Sequence, residues 1–213
     1  MKKTILFDFD GTVADTVGPI VEILNGMAED FNFPQIDSEI LENFRGQENK
    51  EALREALRKG NIPKHKLPLI VKRVWSETHK QIASWHPIAG IENVLLALKE
   101  DGCQIGIVTT GSKANVIKFL DGNKMDHFDF IYAGKSFFGK AKVIKTLLKV
   151  HHLNPEEVFY VGDQTSDIEA ARSVNITPIA VTWGFNSEKI LQEHKPEVII
   201  AKPEELMKFF QSL

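Results

Sequence analysis

Residues 158–174 read VFYVGDQTSDIEAARSV. The first residues are apolar, β-branched or aromatic, which suits a buried strand. Gly162 and Asp163 end that run, and from Ser166 the apolar residues recur at helical spacing. A strand, a polar turn and a helix thus follow one another directly. The pattern returns along the chain without any sequence repeat. Apolar runs that stop at polar or glycine-rich turns lie at 4–9 (TILFDF), 104–110 (QIGIVTT), 129–134 (DFIYAG), 178–183 (PIAVTW) and 197–200 (EVII). Helical patterns over 91–102 and 142–153 lie between them. Strands alternating with helices predict an α/β fold, a doubly wound parallel sheet covered on both faces. Such sheets bind ligands outside the C-terminal ends of their strands, so the loops after the strands form the candidate site.

Residues 15–85 break this rhythm. They show no strand pattern, and helical segments run through 19–31 (PIVEILNGMAEDF), 49–60 (NKEALREALRKG) and 67–83 (LPLIVKRVWSETHKQIA). The chain therefore divides into an α/β core, 1–14 and 86–213, and an inserted all-helical cap, 15–85. Between residues 50 and 80 nine Lys/Arg face three Glu. That charge either covers a site at the strand ends or forms a solvated helix face. Arg45 and Gly46 interrupt the cap helices, in a loop that either faces a substrate or is plain surface.

A length of 213 residues suits one main domain with a smaller insert. Hydrophobic residues at 43% support a core, and 26% charged is ordinary for a soluble protein. A formal net charge of −3 gives no reason to expect nucleic acid or an anionic membrane as partner. Cys103 is the single cysteine, so no internal disulfide forms; it precedes an apolar run and reads as a buried, inert thiol. No apolar run approaches the roughly 20 residues that span a bilayer. The N-terminal lysines lead into too short an apolar stretch for a signal peptide, and without one the NIT at Asn175 carries no weight. A cytoplasmic protein, monomer or homodimer, is expected. Trp75, Trp85 and Trp183 read as packing residues, Asp15 as the N-cap of the next helix, and His151-His152 as a helix C-terminal turn.

The loops after the strands hold a particular chemistry. The first supplies Asp8, Asp10, Gly11 and Thr12; the second Thr109, Thr110, Gly111 and Ser112; the fourth Gly162, Asp163 and, one turn on, Asp167. After the third come Lys140 and Lys142, with Lys135 nearby. Residues two apart in extended backbone face one side, so Asp8 and Asp10 point together and repel. A hard cation such as Mg2+ relieves that repulsion, with Asp163 adding a third carboxylate. Each residue type then has a role if the ligand is a phosphate ester. One carboxylate attacks phosphorus, and the other protonates the leaving oxygen and later activates water. Thr109, with the amides near Gly111, holds the phosphoryl group, while a lysine balances its charge.

DFDGTVAD (8–15), IVTT (107–110), Lys140 in GKAKVI and GDQTSDIEAA (162–171) resemble the four motifs of the haloacid dehalogenase superfamily. The likeness is to its phosphoglycolate phosphatase-like branch with a helical cap, and it runs over nearly the whole chain. One departure is Ala89, where that branch carries a proline before Gly90. The resemblance implies that Asp8 is nucleophile and metal ligand. It implies that Asp10 is acid/base and binds Mg2+ through its carbonyl. Thr109 would bind the phosphoryl group with Thr110 and Gly111, Lys140 would neutralise it, Asp163 would ligate the metal and Asp167 would support it. Arg45 is the candidate substrate contact in the cap. Asp10 argues against carbon–halogen cleavage, which needs no acid for a leaving oxygen. The implied partner is a small phosphorylated metabolite.

Other readings explain less. GKSFFGKA (134–141) approaches a P-loop, but Ala141 replaces the hydroxyl that holds Mg2+, and the aspartates are left without a role. A phosphorylation-receiver domain places its acceptor on a later strand and lacks a cap. A phosphosugar mutase, a pyrophosphatase or a non-catalytic phosphate- or protein-binding module on the same fold remains open. A phosphonate hydrolase would want a cap lysine soon after Asp15, and none precedes Lys50.

Overall fold

The computed structural model of the chain describes residues 3–47, 54, 55, 58, 64–133 and 139–213. Most of the helix expected over 49–60, Lys135 and the centre of the P-loop-like stretch lie outside the described residues. Six parallel strands make one sheet: β1 (Thr4–Phe7), β2 (Gln104–Thr109), β3 (Phe130–Ala133), β4 (Val158–Gly162), β5 (Thr177–Val181) and β6 (Val198–Ile200). Their order is β3-β2-β1-β4-β5-β6, so the chain winds outward from β1 to one edge and then to the other. All six expected strands are present, each shorter than expected by a residue or more, with β5 starting one residue earlier.

The helices are α1 (Val17–Asn25), α2 (Ala28–Phe31), α3 (Ser38–Arg45), α4 (Leu67–Gln81), α5 (Ile91–Glu100), α6 (Lys113–Asn123), α7 (Gly139–Val150), α8 (Thr165–Ser173), α9 (Glu188–Glu193) and α10 (Pro203–Gln211). The two-residue period of the strands sorts them into layers. Ile5 and Phe7 pack on one face with Val94 and Leu98 of α5, Phe119 of α6 and Phe210 of α10. Leu6 faces the other way, to Ile144 and Leu147 of α7 and Ala171 of α8. Each of the larger of these side chains is worth about 1.5–3 kcal/mol when fully buried. Burial on both faces is why the strands read as continuous apolar runs.

Between β1 and β2 the described residues 17–81 supply helices and no strand. The chain leaves and returns alongside itself: Asp15 N–H donates to His86 O at 3.0 Å and Ile88 N–H to Val13 O at 2.9 Å. This pairing holds Asp15 in the linker, with its side chain exposed. Residue 16 rather than 15 takes the cap position of α1, and its side chain makes no cap bond. Trp75 also departs from its packing role and is 49% exposed. The inner side of α4 is set by Ile70 and Val74, and the next residue turns about 100° away from it. Trp85 and Cys103 are buried as expected. His151 lies in the turn after α7, stacked on Phe130 with ring centroids 4.5 Å apart.

Candidate active site

Parallel strands end on one edge, and the loops after β1, β2, β4 and β5 meet there. Asp8 follows β1 directly, its N–H bonded to Val161 O of β4 at 2.8 Å. The next turn closes on a single carbonyl: Val13 and Ala14 N–H both donate to Phe9 O at 3.0 Å. Asp163 follows β4, and α8 begins just after it. Asp167, in the first turn of α8, accepts from Gln164 N–H and completes a capping box. The turn thus aims Asp8, Asp163 and Asp167 at one point. All three are buried, with one oxygen from each within 4.8 Å of the others.

Lys140, at the start of α7, reaches into this group. Its Nζ lies 3.0 Å from Asp8 Oδ2 and bonds Asp167 Oδ1. It also sits over the Tyr160 ring at 5.4 Å, and the Tyr160 hydroxyl donates to Val108 O at 2.7 Å. Lys142, two residues on, is exposed. Burial opposes the ammonium form of Lys140, but Asp167 and Asp8 outweigh it and hold the group well above its ordinary value.

One cation among so many carboxylates leaves excess negative charge. Burial, with Asp8 and Asp167 alongside, raises the Asp163 carboxyl from 3.8 to about 8, although Phe185 N–H and the Thr12 hydroxyl oppose the shift. Asp167 rises to about 6, chiefly by burial and with Lys140 opposing. Asp10 is half-buried; loss of hydration and the Asp8 charge raise it to about 7, against Lys140 and a bond from the Thr16 hydroxyl. Asp8 Oδ1 is buried and has no hydrogen-bond partner. Hard oxygen donors, surplus negative charge and an orphaned carboxylate oxygen together fit a divalent cation such as Mg2+.

Thr109 is buried at the end of β2, and its hydroxyl accepts from Gly111 N–H at 3.0 Å. Gly111 runs close to Asp10: a Cβ there would lie 3.1 Å from Asp10 Oδ2. Thr110 is exposed. Arg45 is held by the loop after β5. Its Nε and Nη2 donate to Phe185 O and Thr182 O, both at 3.2 Å, and Nη1 pairs with Glu42 at 2.9 Å. A substrate contact would take it away from those partners.

Several contacts of the site had no signal in the sequence, although Thr12 itself stood in the first loop. Thr12 donates to Asp163 Oδ1 at 3.0 Å, and Phe185 N–H donates to Oδ2 at 2.6 Å. Gly184 leaves room for that carboxylate; a Cβ there would come within 2.3 Å of it. Asn186 is fully buried and bonds Thr165 N–H, Arg45 O and Gln47 O. The available signal was positional: the loop after β5 must end beside the loop after β4.

The family model of haloacid dehalogenase-like hydrolases matches residues 5–181. Over 206 residues, 96% of this chain and 95% of the relative, the sequence is 29% identical to a phosphoglycolate phosphatase of Synechococcus elongatus. Over 220 residues, 96% of this chain and 94% of the relative, it is 24% identical to a pyrophosphatase of Listeria innocua. A solved haloacid dehalogenase-like family hydrolase from Streptococcus pneumoniae is similar in fold, with a TM-score of 0.84 at 25% identity over 98% of each chain.

Proposed function

The chain belongs to the haloacid dehalogenase-like hydrolase family and is a phosphatase, and from that premise we propose that it hydrolyses a small phosphate monoester of the phosphoglycolate type with the help of Mg2+. The observation that carries this reading is the state of Asp8: Oδ2 on Lys140, Oδ1 buried and without a partner. A carboxylate so placed is both anchored and available.

Asp8, Asp163 and Asp167 would hold the cation, together with the Asp10 carbonyl. When bound, the cation supplies positive charge against the phosphoryl oxygens and the nucleophile. An Asp8 oxygen attacks phosphorus and the ester bond breaks, leaving the phosphoryl group on Asp8. The leaving alkoxide takes its proton from Asp10. A carboxyl near 7 is substantially protonated at neutral pH, so it can donate and then act as base. Ionised Asp10 next takes a proton from water; the resulting hydroxide attacks the aspartyl phosphate, inorganic phosphate leaves, and Asp8 and Asp10 regain their starting states. Lys140 balances charge on Asp8 throughout. Thr109, with the chain at Thr110 and Gly111, faces the transferring group. The helices of 15–85 act as the cap that excludes water and selects the substrate.

A pyrophosphatase is the second reading, favoured by the relative from Listeria innocua. The test is phosphate release from a panel of esters and pyrophosphate, with and without Mg2+, for wild type and Asp8→Asn. Mg2+-dependent release that the substitution abolishes is expected, with phosphoglycolate ranked first. Release that survives Asp8→Asn would overturn the nucleophile; pyrophosphate at the head of the ranking would favour the second reading.

A further inference from the structure

We propose that Asn186 is a positioning residue that ties the seating of the helical insert to the orientation of Asp163. The proposal rests on the reading of Asp163 as a cation ligand.

A buried asparagine offers one acceptor and two amide hydrogens. Asn186 directs all of them at other segments. Oδ1 accepts from Thr165 N–H at 3.0 Å, at the start of the helix that carries Asp167. Nδ2 donates to Gln47 O at 3.1 Å and to Arg45 O at 3.4 Å, where α3 ends. The side chain thus joins the insert to the α8 turn, and none of it reaches solvent.

The backbone around it continues the connection. Asn186 N–H donates to Asp163 O at 3.2 Å, and Phe185 N–H donates to Asp163 Oδ2 at 2.6 Å. From the insert side, Arg45 Nε holds Phe185 O, the carbonyl of the same peptide group whose N–H reaches Asp163. A guanidinium, one peptide group and the Asp163 carbonyl therefore form a continuous chain of bonds that polarise one another. Ser187 N–H closes it by donating back to Arg45 O at 2.8 Å. Movement of residues 45–47 shifts the 185–186 peptide, and with it both the main chain and the carboxylate of Asp163.

Two variants of the full chain test this: Asn186→Ala, which removes the amide, and Arg45→Lys. The latter keeps a tryptic site at position 45 but cannot span both carbonyls. Two readouts need no activity. Tryptic cleavage after position 45, followed by mass spectrometry, reports release of the insert. The Mg2+ concentration for half-maximal thermal stabilisation, without substrate, reports the cation site. Asn186→Ala is expected to speed cleavage and to raise the Mg2+ midpoint about tenfold, the scale of lost support to metal ligands. Arg45→Lys is expected to move both in the same direction by less, and it carries the test if Asn186→Ala fails to fold.

A lower melting temperature with an unchanged Mg2+ midpoint would make Asn186 merely structural and overturn the proposal. Faster cleavage without a midpoint shift would do the same, as would wild type that Mg2+ does not stabilise. The reaction is judged separately. Coupled shifts in a protein that releases no phosphate would sustain the positioning role while removing the phosphatase mechanism. Phosphate release with uncoupled readouts would do the reverse.

Discussion

Lys140 stands between two carboxylates, its Nζ 3.0 Å from Asp8 Oδ2 and bonded to Asp167 Oδ1. It is the one cation that touches the cluster among the described residues, so it alone offsets the charge of these buried carboxylates where no metal is bound. Lys140→Met keeps the apolar stem but leaves buried carboxylates uncompensated. Removing one partner of a buried pair costs about 3–5 kcal/mol. Loss of a preorganised charge at a reacting centre lowers kcat by about 100-fold or more. Both effects are expected, measured by urea unfolding at neutral pH and by phosphate release. Activity within a few-fold of wild type would remove Lys140 from the reaction.

The same crowding sets a pH dependence for the metal-free protein. Folded Asp163 and Asp10 titrate near about 8 and about 7, against an ordinary 3.8. Between those limits the folded state binds more protons than the unfolded chain, so stability falls as pH rises. The stabilising effect of protonation is full below the ordinary value and lost through the raised ones. In EDTA the melting temperature is therefore expected to drop between about pH 5 and about pH 8.5. Mg2+ competes with those protons and is expected to stabilise more at the higher pH. A melting temperature that rises with pH in EDTA would contradict the charge balance described for the site.

Thr12 tests how Asp163 is held. Its hydroxyl is the side-chain donor to Oδ1 and is itself completely buried. Thr12→Val preserves shape and removes the donor, leaving that oxygen dependent on other partners. Weakened Mg2+ binding by about tenfold is expected, since the partner that orients the carboxylate is gone. Thr12→Ser, which restores the hydroxyl, is expected to recover most of it. Equal midpoints for the three proteins in a Mg2+ titration would show that Phe185 N–H alone suffices.

The aspartates were legible because their cost is local. Asp8, Asp10 and Asp163 follow apolar strands at positions where a lone charge is unfavourable, and parallel strands bring their ends together without further information. Spacing also placed Asp167 one turn into a helix. The partners of these groups were not legible, because contact and not composition defines them. Thr12 meets Asp163 across 151 positions, and Asn186 meets Gln47 across 139. Gly184 is one glycine among fourteen until the carboxylate beside it is seen. Residue types alone left Lys140 and Lys142 open and the family resemblance favoured Lys140, while sequence patterns put the start of α7 at 142 instead of 139. Local reasoning failed at Asp15 because the linker pairing with residue 86 outweighed its preference for a helix cap.

Asp10 supplies the last test, because its role depends on the leaving group. Its carboxyl sits near 7 through lost hydration and the Asp8 charge, while Thr16 and Lys140 pull the other way. If it protonates the departing oxygen, the need for it grows with the basicity of that oxygen. Asp10→Asn keeps size and hydrogen bonding but has no proton to give. For alkyl phosphates kcat is expected to fall by about 100-fold to 10,000-fold, the usual range for a general acid–base group. For an activated aryl phosphate, whose leaving group departs unprotonated, formation of the phosphoenzyme should be nearly unchanged in a single-turnover burst. Its hydrolysis should still be slow, since the same residue serves as base, and the phosphoenzyme should accumulate on Asp8. Equal losses in the burst for both substrate types would mean that Asp10 shapes the site electrostatically and donates no proton.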